Sequence, residues 1–433
     1  MVFPNFFSFS DTKMPEDRLH LGKSGINLVF RSVYTIFAEK MTNLPEDFIR
    51  ETKQVMGEAR FNRYLEAFEE EAPTSIRLNP KKVSRRDGSF VIPWCEEGYY
   101  LEGRPSFTFD PLFHAGCYYV QEAASMFVTH VLRQFVKDPV TMLDLCAAPG
   151  GKSTAARSVL PEGSLLYSNE PIPTRAQILL ENITKWGWDD CIVTNNYPRD
   201  YRKAKARFDV ILCDVPCSGE GMFRRDPATI SEWSLQNVDK CWRLQREIVA
   251  DAWECLNPGG LFIYSTCTFN TKENEENVRW IMEEYDAEIL SVPTAPEWQI
   301  TGSLLDGFDA PVYRFIPGIT RSEGLFLSVL RKKGDHSPAA RKNLSLKTLK
   351  ADLPLGEFPH IDLSYFEALK YLRGEALVLP ADTPRGMVTV TYQGIPLGPA
   401  KNIGNRANNL YPKGWRIKTT HLPTEEIKII NIQ

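Results

Sequence analysis

Between Val140 and Lys332 the chain repeats one alternation, in which short apolar runs are separated by segments whose apolar residues recur three and four apart. VTMLDLC, GSLLYSNE, CIVTNN, FDVILCDV, GGLFIYST, AEILSV and GLFLSVLRK have strand length. TRAQILLENITKWG and NVDKCWRLQREIVADAWECL have helical periodicity. The second helix should stop at Asn257-Pro258-Gly259-Gly260, because proline cannot continue a helix and glycine readily turns. The pattern predicts an α/β fold with a mostly parallel sheet and helices on both faces. Before it, MTNLPEDFIRETKQVMGEARFNRYLEAFEEE predicts two helices, the first opened by Asn43, Pro45, Glu46 and Asp47. Residues 75–115 alternate and turn, as a small α+β unit containing the basic run KKVSRR. After a polar, basic linker at 334–350, the last eighty or so residues read as a small β-rich unit. The expected boundaries are thus 1–40, 41–118, 119–333, 334–350 and 351–433. Residues 1–40 show no clear period until SGINLVFRSVYTIFAEK, one amphipathic helix. We expect Met41 to be the natural start and 1–40 an extension foreign to the native protein; intact mass from the native source tests this.

Composition narrows the class. With 43% hydrophobic and 24% charged residues the chain is ordinary for a globular protein, and no apolar run reaches membrane-span length. The start lacks the layout of a secretory signal. Nine cysteines without regular spacing argue against a disulfide framework and imply a reducing, cytoplasmic setting. Six histidines and no CxxC pair give no metal site. Net charge is −4, but Thr383–Thr424 holds no acidic residue. That window carries Arg385, Lys401, Arg406, Lys413, Arg416 and Lys418, with Tyr392, Tyr411 and Trp415 interleaved. Basic groups hold phosphates and aromatic faces stack on bases, so the window suits single-stranded RNA; a plain solvated basic face is the alternative.

LDLCAAPGGKST, from Leu143 to Thr154, carries a strand into a turn and then a helix. Glycines permit close approach and a helix start offers free N–H groups. Cys146 stands where a P-loop needs its first glycine, and a GxGxxG pattern is missing. Glu170 follows about 20 residues on, where an acid can accept both ribose hydroxyls. Loop and acid together leave S-adenosylmethionine (SAM) or a nicotinamide as the ligand.

FDVILCDVPCSGEGMFRRDP ends a strand at Asp214 and follows it with Cys217. YSTCTFN places Cys267 just past another strand. Each thiol alone could be core packing. Together, downstream of such a loop, they suit methylation of a pyrimidine ring. A thiolate added to carbon 6 of cytosine makes carbon 5 enamine-like, an acid such as Asp214 near ring nitrogen 3 stabilises the charge, and a second group aids release. The residues alone do not say which cysteine attacks.

LDLCAAPGGK, DVPCSGEGMFRRDP and YSTCTFNTKENE resemble the motifs of the Nop/Sun family of RNA cytosine carbon-5 methyltransferases, in its bacterial RsmF-like branch acting on 16S ribosomal RNA. The resemblance spans roughly Met41 to Trp415. It implies a Rossmann-like SAM-dependent methyltransferase domain at 119–333, an amino-terminal RNA-binding domain and a PUA-like carboxyl-terminal one. It assigns attack to Cys267 and release to Cys217. It assigns cofactor contacts to Cys146, Ala147, Ala148, Pro149, Gly150, Gly151, Lys152, Glu170 and Asp214. Lys152 could equally be a surface charge at the helix start. Where the family usually has an aspartate near the adenine this chain reads VTNNYPRD, so Asn195 or Asn196 would substitute. Ala123-Ala124-Ser125 and Gly318 also depart from the family pattern. The expected partner is 16S rRNA or the 30S subunit, bound by a monomer away from any membrane. The rivals are methylation of transfer RNA, a non-catalytic ribosome assembly factor and, more distantly, a nicotinamide oxidoreductase.

Overall fold

The computed structural model describes residues 44–84, 90–335, 345–353, 357–419 and 421–431. The extension 1–40 with its expected helix, Arg85 and Arg86 of the basic run, and residues 336–344 of the expected linker lie outside these. Two helices come first, α1 (Glu46–Met56) and α2 (Glu58–Glu66). Phe48, Thr52 and Met56 recur every fourth residue and form the buried stripe of α1. A four-stranded antiparallel sheet follows, made of β1 (Ser75–Leu78), β2 (Val91–Ile92), β3 (Cys95–Tyr100) and β4 (Tyr118–Val120), in the order β2-β3-β1-β4.

The central region alternates as the hydrophobic pattern predicts. Its strands are β5 (Thr141–Asp144), β6 (Leu165–Asn169), β7 (Cys191–Thr194), β8 (Phe208–Asp214), β9 (Leu256–Thr266), β10 (Ala287–Ile289), β11 (Tyr313–Phe315), β12 (Leu325–Lys332) and β13 (Thr348–Leu349). Its principal helices are α3 (Phe127–Phe135), α4 (Gly151–Val159), α5 (Pro173–Trp186), α6 (Leu235–Cys255) and α7 (Glu275–Glu284). The sheet order is β10-β12-β9-β8-β5-β6-β7-β13, with β11 on β12. The pairs among β5–β9 are parallel, while β10, β11, β12 and β13 are antiparallel to their neighbours. From β5 the chain runs outward through β6 and β7, then returns to lay β8 on the other side of β5. That reversal puts a ligand crevice at the carboxyl ends of β5 and β8. Side chains alternate across the sheet. Val210 and Leu212 pack with Val128, Val131 and Leu132 of α3, and Ile211 and Cys213 with Val249, Ala252 and Trp253 of α6. Each fully buried Leu or Ile contributes about 1.5–3 kcal/mol.

The last unit comprises β14 (His360–Asp362), α8 (Tyr365–Arg373), β15 (Gly386–Tyr392), β16 (Ile395–Asn402) and β17 (Ala407–Asn409), ordered β14-β15-β16-β17. Its core is continuous with that of the first sheet. Ile76, Leu78 and Tyr118 lie in one cluster with Leu369, Leu372, Val390 and Ala400, and the Tyr365 hydroxyl donates to the Phe109 carbonyl at 2.9 Å. The expected linker is not wholly a linker, since Thr348 and Leu349 add a strand to the β7 edge. Among the described residues no helix is long and apolar enough to cross a membrane.

Candidate active site

Four strand ends converge on the crevice. Leaving β5, the turn Leu145–Gly150 lies against β6 and β8: Ala147 N–H donates to Asn169 O at 2.7 Å and Leu145 N–H to Leu212 O at 3.0 Å. Gly150 caps α4 at φ +114°, a left-handed geometry that L side chains resist, and a Cβ there would meet Leu179 at 3.2 Å. Two side chains of α5 grip the turn, Arg175 donating to Ala148 O (3.0 Å) and Asn182 to Pro149 O (2.8 Å). Arg77 of β1 holds α4 from the other side. Its buried guanidinium donates to Gln121 Oε1, Thr154 Oγ1, Ser158 Oγ and Gly151 O, with Trp186 stacked 4.5 Å away. Glu170, just past β6, is buried, accepts from Ile172 N–H and pairs with Arg175 at 3.2 Å. Burial pushes its carboxyl up, and Arg175 opposes this.

Asp144 is fully buried. One oxygen accepts from Ser153 Oγ at 2.7 Å, and the other has no partner among the described residues. Burial raises its pKa to about 7. Asp214 is shared, accepting from Ser265 Oγ at 2.7 Å and pairing with Lys152 Nζ at 2.8 Å. Lys152 is therefore no free surface charge. Burial alone would lower it, but Asp214 foremost, then Cys267 and Asp144, hold it above its ordinary value.

The two expected thiols meet, with Cys217 Sγ 3.3 Å from Cys267 Sγ. The hydrogen bond to Cys267 raises the Cys217 pKa well above the ordinary thiol range, with burial and Glu273 adding to it. The loops bearing the thiols cross at Gly221, whose N–H donates to Cys267 O at 2.8 Å. A Cβ on Gly221 would lie 2.8 Å from that same oxygen. Two buried carboxylates tie the loops together. Glu220 accepts from the N–H groups of Phe269 (2.6 Å) and Asn270 (3.0 Å) and from Trp233 Nε1 (2.9 Å). Glu273 accepts from Ser218 N–H (3.1 Å), Gln245 Nε2 (2.7 Å) and Asn270 Nδ2 (2.8 Å). Burial raises the Glu273 pKa to about 7. Among the described residues no group of three or more His, Cys, Asp or Glu side chains could hold a metal ion.

Other expected residues are placed differently. Asn196 is turned to Lys347, where Nδ2 donates to Lys347 O and Oδ1 accepts from Lys347 N–H, both at 3.0 Å. Asn195 is likewise engaged with Glu170 O, Pro171 O and Lys347 Nζ. Cys146 is half-buried, and burial pushes its thiol well up. Arg385, Lys401, Arg406 and Lys413 are exposed on the last unit, whereas Arg416 turns inward over Gly374 and donates to Tyr411 O. Tyr392, in β15, and Tyr411, just past β17, belong to the core and cannot stack on bases. Of the run KKVSRR, Lys81 and Lys82 donate to carbonyls, Lys81 to Gly187 O and Lys82 to Ala115 O and Lys185 O. Sequence reading missed Arg77, Arg175, Asn182, Glu220 and Glu273. A lone arginine in the run SIRLNP, and two acids inside the quoted cysteine motifs, were the available signals.

The fold and the site define a Rossmann-type methyltransferase scaffold with a thiol pair at its ligand crevice. Family models agree along the chain: 16S rRNA methyltransferase RsmB/F at residues 134–331, the N-terminal domain of 16S rRNA methyltransferase RsmF at 44–123, and the methyltransferase RsmF PUA domain at 358–417. Ribosomal RNA small subunit methyltransferase F of Cronobacter sakazakii is 30% identical over 399 residues, covering 84% of this chain and 81% of that protein. The protein of the same name from Pectobacterium atrosepticum is 32% identical over 322 residues, or 69% of this chain; there the match spans only 65% of the relative's length. Among solved structures, a methyltransferase homolog protein from Pyrococcus horikoshii superposes with a TM-score of 0.57 at 26% identity, covering 72% of this chain and all of that one. This chain belongs to the RsmB/F family of 16S rRNA methyltransferases.

Proposed function

We propose that this protein methylates carbon 5 of a cytosine in 16S ribosomal RNA, free or within the 30S subunit, with SAM as methyl donor. The observation that carries this reading is the pair of thiols 3.3 Å apart beside the Lys152–Asp214 pair. Family membership supports the RNA substrate. The turn supports the cofactor: it lacks the GxGxxG glycines that let a pyrophosphate approach, and Glu170 stands where a carboxylate can accept ribose hydroxyls. The unpartnered oxygen of Asp144 suits a polar, cationic ligand as well. The turn Cys146–Lys152 and Glu170 would hold the cofactor, which supplies an electrophilic methyl group when bound.

The chain's own residues do the rest. Cys267 Sγ bonds to carbon 6 of the base, and the carbon 5–carbon 6 π pair moves into the ring. Asp214, with Lys152 bonded to it, steadies the proton that ring nitrogen 3 takes up. Lys152, paired with Asp214, stands on the Cys267 side of the crevice. Cys217 stays protonated chiefly through its hydrogen bond to Cys267. Once that sulfur is bonded to the base the hydrogen bond is lost, so Cys217 can release its proton to solvent and, as a thiolate, take the proton that leaves carbon 5. Removal of the carbon 5 proton then restores the double bond and breaks the Sγ–carbon 6 bond. Arg385, Lys401, Arg406 and Lys413 offer phosphates a basic face, and half-buried Trp415 is the remaining aromatic of the basic window.

The test is a denaturing gel of wild type, Cys267→Ala and Cys217→Ala with unmodified 16S rRNA and SAM. Cys217→Ala should accumulate a covalent protein–RNA band and Cys267→Ala none. A band that depends on Cys217 reverses the roles. Methylation of transfer RNA alone would replace the substrate.

A further inference from the structure

Residues 345–350 belong to the expected linker, yet with Ala351 they are built onto the central sheet next to the cofactor turn. Thr348 and Leu349 pair with Thr194 and Val193, and Asn195 N–H donates to Lys347 O at 3.0 Å. Three further contacts tie it down. Both ends of the Asn196 amide are bonded to the main chain of Lys347. Lys347 Nζ donates to Asn195 Oδ1 at 2.7 Å, and the same amide's Nδ2 donates to Glu170 O at 2.8 Å and Pro171 O at 3.0 Å. Leu349 and Ala351 pack in one cluster with Ala147, Ala148, Leu179 and Val193. The strap thus touches both parts of the chain that would hold the cofactor: the Ala147–Ala148 turn by packing, and the Glu170 turn through one intervening asparagine.

We propose that this strap is a working part of the cofactor site, with Lys347 a positioning residue that fixes Glu170 through Asn195. The two neighbouring asparagines at the end of β7 anchor the strap. The consequence is that residues belonging to neither the turn nor its strands set the affinity for the adenosine-bearing ligand. Lys347 makes no bond to the Glu170 carboxylate; through Asn195 it fixes the main-chain carbonyls of Glu170 and Pro171, and so the backbone from which that carboxylate reaches the ribose hydroxyls. A positioning group of this kind changes binding more than turnover, because the thiols and the Lys152–Asp214 pair do not depend on it.

The inference rests on the reading of this crevice as a SAM site, and its test separates the two. SAM affinity is measured by titration calorimetry on the full chain for wild type, Lys347→Met, Lys347→Arg and Leu349→Ala. Initial rates on 16S rRNA at saturating SAM are measured alongside. Lys347→Met removes the donor while keeping the stem, and should weaken SAM binding about tenfold, the weight of one charge-assisted hydrogen bond. The maximal rate should stay within about twofold of wild type. Lys347→Arg keeps a donor and should restore most of the affinity; Leu349→Ala should weaken binding in the same direction and carries the comparison if Lys347→Met does not fold. Wild-type affinity in both Lys347→Met and Leu349→Ala overturns the proposal. So does a loss confined to the maximal rate. A wild-type chain that binds no SAM overturns the cofactor reading itself, and the strap proposal with it.

Discussion

At the scale of single residues, the site depends on how closely two loops can approach. Gly221 lies under the Cys267 carbonyl, and a methyl group there would come within 2.8 Å of a main-chain oxygen that cannot rotate away. Gly221→Ala combined with Cys217→Ala should therefore displace Cys267 and abolish the covalent band that Cys217→Ala alone accumulates, while circular dichroism stays native. A full band in that variant would show that the loops tolerate separation. Glu220 bridges the same loops from below. Glu220→Ala leaves two main-chain N–H groups and an indole N–H without their acceptor, at about 1–3 kcal/mol each. The melting temperature should fall markedly, and an unchanged melt would refute this role. Cys217, Cys267, Asp214 and Glu170 were legible in the sequence because each sits one to three residues past an apolar run. Glu220 and Glu273 were not, because their role exists only once segments some fifty residues apart meet. The partner of Asn196 was hidden for a related reason: residue type says an amide is present, not which part of the chain it bonds.

At the scale of elements, the alternation of strands and helices was readable because long apolar runs of period 2 and 3.6 are hard to mistake. The strands β11 and β13 escaped because two or three residues carry no period. Their pairing comes from neighbours that already present an open edge. The contact between β1 and α4 was equally hidden. It is a single arginine buried without a carboxylate partner among its hydrogen bonds, satisfied by hydroxyl and carbonyl groups. Arg77→Lys keeps the charge but loses the fork that reaches four acceptors. We expect it to lower thermal stability and to weaken SAM binding by loosening the start of α4. Calorimetry of both quantities checks this, and unchanged values for both would rule it out.

At the scale of the whole molecule, four buried carboxyl groups shape the response to pH. Burial raises Asp110 to about 6, and Asp144, Glu273 and Glu323 to about 7. The folded protein thus holds these protons more tightly than the unfolded chain. Folding takes up protons between the ordinary carboxyl range and about pH 7, so stability falls as pH rises through that window and levels off above it. His114, pushed down to about 3 by burial, acts the other way, one group against four. Melting temperature should decline from pH 5 to pH 7.5, and Asp144→Asn should flatten that slope. A slope steeper in the variant would contradict the assignment.

The core shared by the first sheet and the last unit bears on the order in which the protein can be completed. Ile76, Leu78 and Tyr118 are made well before Leu369, Leu372, Val390 and Ala400, against which they pack. Until those follow, the first sheet shows water an apolar face that a segment distant in sequence has to cover. A chain interrupted before α8 would present that face to any chaperone or sticky neighbour at hand.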